Sequence, residues 1–257
     1  MTNQAAAKHA NDLRGTTAIV TGASRGFGRG IVTALSGAGA RVVGIARDKS
    51  RLDELRNALG DSFTAVPGDA ADPSTARRLI EEHHPHTVVL CAGASPLTKP
   101  LQHQTWESFS QNWNVDVQQA FHWTQAALLR PLSAGSSVIV VSSGAAINGS
   151  PLSGGYAGAK ATVKFIANYA AIESERAGLG ISFVSVLPQL TPATDLGASG
   201  VAAYAERQGV TVETFLEGFG PALTPEQVGK SILDIVGNKN SDQRAYTLTA
   251  AGLAPLG

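Results

Sequence analysis

Thr21-Gly22-Ala23-Ser24-Arg25-Gly26-Phe27-Gly28-Arg29-Gly30 is the stretch that decides how this chain folds. It follows a short apolar run, Thr17–Val20, and leads into residues with helical patterning. Gly22 lets the chain turn sharply off a strand. Gly26 removes a side chain where an anion must approach the backbone, and Gly28 lets the helix lie close to the sheet. The open N–H groups and dipole at the helix start favour a pyrophosphate. A ligand-free turn can carry the same glycines. Their position between a first strand and a first helix makes the phosphate reading the stronger one. Thr21, Gly22, Ser24, Arg25, Gly26, Phe27 and Gly28 are therefore the expected cofactor loop.

Outward from this loop, β-branched runs alternate with helix-like stretches. The strand candidates are Thr17–Val20, Arg41–Ala46, Ser62–Val66, Thr87–Cys91, Ser137–Ser142, Ile181–Leu187 and Ala245–Thr249. Most are continuously apolar, as in sheets covered on both faces. Asp72-Pro73 reads as an N-cap followed by proline at the first helical position. Thr224-Pro225-Glu226-Gln227 has the capping-box pattern, and Thr105 reads as another N-cap. The alternation predicts an α/β fold with a doubly wound parallel sheet and helices on both faces.

The chain has 257 residues and no repeat or low-complexity linker, so a single domain over 13–257 is expected after a flexible tail of 1–12. Residues 190–220, rich in Ala, Gly, Val and Phe, are the expected substrate lid. Lys plus Arg equals Asp plus Glu at 20 each, which gives no case for a nucleic-acid partner. The opening residues lack an apolar h-region and no run is long enough to span a bilayer. The expectation is a cytoplasmic protein without membrane association. One cysteine, Cys91, excludes an internal disulfide framework. His83, His84 and His86 read as a helix end before the fourth strand, so no metal is expected. Trp106, Trp113 and Trp123 read as packing or subunit contacts.

Dinucleotide-binding folds place an acid at the end of strand two to hold the ribose 2′-hydroxyl. Here Ala46 takes that place and Arg47 follows. A guanidinium there can pair with a 2′-phosphate, and Arg25 can reach the same group. This predicts NADP(H), with NAD(H) kept as the alternative because Asp48 is close by. Tyr156 and Lys160, four residues apart, share one helix face. A free phenol titrates near ~10, and a neighbouring ammonium favours its ionised form. Such a phenol can pass a proton to or from a substrate oxygen. Lys160 can also donate to the nicotinamide ribose. Ser143 or Ser142, at the end of strand five, can hydrogen-bond the same oxygen.

Thr21-Gly22-…-Gly28, Ala92-Gly93, Asn114, Ser143, Tyr156 and Lys160, in this order and spacing, resemble the short-chain dehydrogenase/reductase family over nearly the whole chain after the tail. The resemblance implies a seven-stranded sheet in the order 3-2-1-4-5-6-7. It implies an NAD(P)-dependent oxidoreductase moving hydride between nicotinamide and a carbonyl or secondary alcohol of a moderately apolar small molecule. The family spacing selects Ser143 over Ser142. It also selects Asn114 over Asn112 as the amide that holds a water for proton relay. Asp69, followed by Ala70, is expected to accept from the adenine amino group, and Ala92, Gly93 and Pro188 to line the cofactor. The family's pairing of its long helices implies a homodimer or homotetramer.

Two places depart from the family pattern. Cys91 stands where asparagine is usual, and is read as a small buried residue. Gln189 replaces a glycine, and Ala193 stands at a threonine position, so Thr191 or Thr194 would have to contact the nicotinamide. One competing function is a non-catalytic NADP(H)-sensing protein, which would not need Tyr156 and Lys160. Another, a sugar-nucleotide epimerase or dehydratase, would need a longer chain and a different glycine spacing.

Overall fold

The computed structural model describes residues 12–130, 132–238 and 242–256. Nearly all of the expected tail therefore lies outside the described residues. The chain runs β1 (Thr17–Thr21), α1 (Gly26–Gly37), β2 (Arg41–Ala46), α2 (Lys49–Leu59), β3 (Phe63–Pro67), α3 (Pro73–His83) and β4 (Thr87–Leu90). It continues through α4 (Trp106–Asn112), a π-helical turn (Trp113–Val117), α5 (Gln118–Leu129), β5 (Ser137–Val141), α6 (Ala145–Asn148) and α7 (Gly154–Arg176). The last elements are β6 (Ser182–Pro188), α8 (Asp195–Gln208), α9 (Val212–Glu217), α10 (Pro225–Gly237), β7 (Ala245–Thr249) and β8 (Gly252–Pro255).

The strand order is β3-β2-β1-β4-β5-β6-β7-β8. The seven expected strands pair in parallel in the expected order. An eighth, β8, corrects the count: it returns antiparallel to β7, pairing Leu248 with Leu253. Gly252, at φ 113, makes the turn that begins it. This short hairpin escaped the strand reading because Gly-Leu-Ala-Pro has neither alternation nor a β-branched residue.

β1, β4 and β5 are buried along most of their length because each has helices on both sides. One face packs Ile31, Leu35, Val228 and Ile232 from α1 and α10 against the sheet. The opposite face packs Leu79, Trp123, Val163 and Ala167 from α3, α5 and α7. Trp123 is fully buried and donates its indole N–H to Ala70 O at 2.9 Å, so it is a packing residue. The caps fall where the sequence places them. Asp72 caps α3, Thr105 caps α4 and Thr224 closes a capping box with Gln227. His83 and His84 close α3, with His84 in the left-handed conformation.

Strand order reverses between β1 and β4. Ligands of open α/β sheets bind at such a point, beyond the carboxyl ends of the strands. Among the described residues no helix is long and apolar enough to cross a membrane.

Candidate active site

A cleft of about 1660 Å³ opens along the carboxyl edge of the sheet. Drug-sized ligands occupy roughly 300–1,000 Å³, so this cleft has room for a dinucleotide and a substrate together. Its floor at one end is the β1–α1 loop. Gly22 takes φ 68, and a Cβ there would stand 2.8 Å from the Ala92 backbone. A Cβ on Gly28 would meet Gly22 O at 2.1 Å. Both glycines are therefore sterically required by the close approach of β1, α1 and β4. The residue at the N-cap of α1, Arg25, is extended and makes no side-chain cap bond. The first N–H groups of α1 thus meet the cleft without a competing side-chain acceptor, an arrangement that fits a pyrophosphate.

Gly22, Ser24, Arg25, Gly26, Phe27 and Gly28 all line the cleft. Thr21 does not. It is fully buried, and its hydroxyl donates to Gln119 Oε1 at 2.8 Å while accepting from the N–H groups of Cys91 and Ala92. The expectation that it contacts the cofactor is corrected to a tie between β1 and β4. Gln119 completes the tie by donating to Ala92 O. Sequence patterning could not single out this glutamine, because its partners lie 27 and 98 residues away.

Arg47, Asp69 and Ala70 line the same end. Asp69 Oδ1 also accepts from Ala71 N–H at 2.9 Å, which folds the turn after β3. Asp48 caps α2, accepting from Arg51 N–H at 3.1 Å, and its carboxylate meets the Arg51 guanidinium at 3.4 Å. Arg25 reaches Asp195 at the start of α8, at 2.9 Å. Arg51 also lines the cleft, although the sequence reading did not select it.

At the middle of the cleft, α7 presents Tyr156 and Lys160 on one face. The ammonium lies 5.7 Å from the centre of the phenol ring. Both serines after β5 line the cleft, and their hydrogen bonds tell them apart. Ser142 is buried and its hydroxyl donates to Lys160 O at 2.7 Å, locking α7 to the sheet. Ser143 lines the cleft, and its oxygen accepts from Ala145 N–H at 3.2 Å, which leaves its own proton to offer.

Asn114 is exposed and outside the cleft lining, a second correction. The π-helical turn rotates Asp116 inward in its place. Asp116 is 1% exposed, and its Oδ1 lies 2.9 Å from Lys160 Nζ. Its Oδ2 accepts from Ala94 N–H at 2.9 Å and from Asn112 Nδ2 at 3.2 Å. Asn112 is itself buried and donates to Ala94 O at 2.7 Å. Lys160 also donates to Val141 O at 3.1 Å. Burial opposes the charge on Lys160, but Asp116 and then Tyr156 outweigh it and hold the ammonium above the ordinary lysine range. Burial pushes the Cys91 thiol up to about 11 against the pull of Lys160, so it stays protonated and is not a nucleophile.

Ala92, Gly93, Pro188 and Thr191 line the cleft as expected positions. The Thr191 hydroxyl, however, donates to Leu223 O at 2.8 Å. Thr194 caps α8. The Thr191 proton is thus committed, whereas Thr194 accepts from Gly197 N–H at 3.1 Å and keeps its own proton.

The far end is built by the α6 turn and by α8 and α9. Tyr204 stacks on Phe215 at 6.3 Å between centroids, and Phe219 follows at 4.8 Å from Phe215. Ser150 and Tyr204 are joined through their hydroxyls, which holds the two walls together. The lining residues from Ile147 to Ser153 and from Leu196 to Phe219 carry no formal charge.

The family model for short chain dehydrogenases matches residues 16–204. The L-xylulose reductase of Bos taurus is 26% identical over 93% of this chain and 96% of its own length. The (3R)-3-hydroxyacyl-CoA dehydrogenase of Homo sapiens is 31% identical over 69% of this chain and 74% of its own. A tropinone reductase homolog of Arabidopsis thaliana is 34% identical over 55% of this chain and 57% of its own.

Proposed function

The chain belongs to the short-chain dehydrogenase family, an NAD(P)-dependent oxidoreductase family acting on CH–OH and C=O groups, and from that premise we propose an NADP(H)-dependent reductase of uncharged, moderately apolar carbonyl compounds. The observation that carries this reading is the placement of the Tyr156 phenol, the Ser143 hydroxyl and the Lys160 ammonium on one cleft beside the glycine loop.

The loop from Gly22 to Gly28 and the N-terminus of α1 would hold the pyrophosphate, and Asp69 and Ala70 the adenine. Arg47 would take the 2′-phosphate, joined by Arg25 on leaving its exposed ion pair with Asp195. The commitment of Asp48 to capping α2 and pairing with Arg51 supports NADP over NAD, because the acid nearest the end of β2 already has partners. When bound, the nicotinamide supplies or accepts hydride. Ser143 donates to the substrate oxygen and steadies its developing charge. Tyr156 gives its proton to that oxygen in reduction, or takes one in oxidation. Lys160, paired with Asp116 and donating one N–H to Val141 O, has donors left for the ribose hydroxyls or the phenol.

The uncharged, aromatic far wall formed by Tyr204, Phe215 and Phe219 supports a substrate with a flat or cyclic apolar body. Residues 190–220 act as its lid within a single domain spanning 13–257. The similar proteins are named for L-xylulose, a 3-hydroxyacyl-CoA and tropinone. The aromatic wall favours a cyclic ketone. The test is NADPH oxidation against a panel of uncharged ketones, diketones and quinones, for wild type and Tyr156→Phe. Loss of general-acid help predicts a fall of about 10²–10⁴-fold in kcat with NADPH binding kept. No turnover by either protein would leave the non-catalytic reading in its place.

A further inference from the structure

The Lys160–Asp116 ion pair is buried on both sides, with the two side chains 7% and 1% exposed. The catalytic role of a lysine beside a phenol requires a positive charge, yet here a full negative charge stands 2.9 Å from it. That carboxylate is not free to turn away. Ala94 N–H and Asn112 Nδ2 pin its other oxygen, and the π-helical turn fixes its backbone. We propose that Asp116 is a positioning residue that offsets the charge of Lys160 at Tyr156 and so keeps the phenol in its proton-donating form to higher pH. This rests on the dehydrogenase reading above.

The physics is a comparison of fields. A lone ammonium favours the phenolate, the form needed to take a proton from an alcohol. An ion pair presents a dipole instead, whose field at the phenol is the difference of two opposing contributions. In a buried site that difference is weakly screened by solvent. The phenol then remains O–H, ready to donate. In reduction the Tyr156 O–H bond breaks as the substrate oxygen takes the proton, while the carbonyl carbon gains hydride from the bound dihydronicotinamide. One solvent proton refills the phenolate, so each turnover consumes one reduced nucleotide and one proton.

Few other charges face this group. Among the described residues, Asp116, Tyr156 and Cys91 are the ionisable groups that act on Lys160, and the Cys91 thiol is neutral. β5, β6 and α6 carry no ionisable side chain. Glu107 of α4 is exposed, and His122 of α5 acts on Asp72.

The experiment is the pH dependence of kcat/KM in both directions, with NADPH or NADP and one ketone–alcohol pair. Asp116→Asn keeps the shape and removes the charge. Its alkaline limb for reduction should move down by about one pH unit. At fixed pH on that limb this is about a tenfold fall in reduction. A structural role alone would lower rates evenly across pH, so an unmoved limb overturns the proposal. If Asp116→Asn does not fold, wild type decides. Oxidation should climb about tenfold per pH unit between about pH 6 and 8 while reduction stays flat. Oxidation that is flat over that range overturns the proposal. Inactive Tyr156→Phe with an unmoved Asp116→Asn limb removes only this inference. Active Tyr156→Phe removes the dehydrogenase reading itself.

Discussion

Ser142 and Ser143 are neighbours whose hydroxyls face different chemistry: one is spent on the Lys160 carbonyl inside the fold, and the other opens to the cleft. Ser143→Ala should lower kcat by about 10²-fold, the usual cost of one donor to a developing oxyanion, with little change in thermal stability. Ser142→Ala should do the reverse, losing about 1 kcal/mol of folding stability with kcat nearly kept. Steady-state kinetics and denaturant unfolding of both variants check this pair. Arg47→Ala should weaken NADPH by about 10–100-fold and leave NADH nearly unchanged, as expected for one lost charge-assisted contact to a phosphate; nucleotide fluorescence titration reads it. The family's spacing from serine to tyrosine points to Ser143, which is the serine whose hydroxyl proton is not given to the Lys160 carbonyl. Spacing failed at Asn114. There the chain runs through a π-helical turn, and a widened turn changes which residue faces inward without leaving a mark in composition.

Elements, more than single residues, were legible. Continuous apolar strands, Asp72-Pro73 and the Thr224–Gln227 pattern all act through local backbone chemistry, and each lies where the residues themselves dictate. What stayed hidden depends on distant partners. Gln119 and Thr21 join two strands through bonds that no local pattern announces. Asp116 matters because α7 brings Lys160 to it from 44 residues further along. The capping box offers a clean test of the local kind. Thr224→Ala removes the acceptor for Gln227 N–H at the start of α10 and should cost about 1 kcal/mol. Because α10 packs on α1 beneath the glycine loop, NADPH affinity should fall less than stability does. Urea unfolding and nucleotide titration on one preparation compare the two.

At the scale of the molecule, an apolar face stands exposed among the described residues. Phe121 and Leu129 on α5, and Phe165, Tyr169 and Ile172 on α7, are exposed, with Leu129 at 74%. Adjacent helices that expose this much apolar surface predict self-association. Sedimentation should give a homodimer or homotetramer, and Phe165→Glu with Tyr169→Glu should shift it towards monomer without altering the site on the opposite edge of the helix. A wild-type monomer at every concentration would contradict that expectation. The cleft itself follows from topology: the reversal between β1 and β4 leaves a crevice, lined by the glycine loop at one end and an uncharged wall at the other. The central claim is that hydride crosses between those two ends. The direct measurement is turnover of a cyclic ketone with NADPH deuterated at C4, using each stereoisomer in turn, and mass spectrometry of the alcohol. One deuterium on the carbinol carbon from one stereoisomer and none from the other is the predicted result; NADPH consumption with no label in the alcohol from either would contradict it.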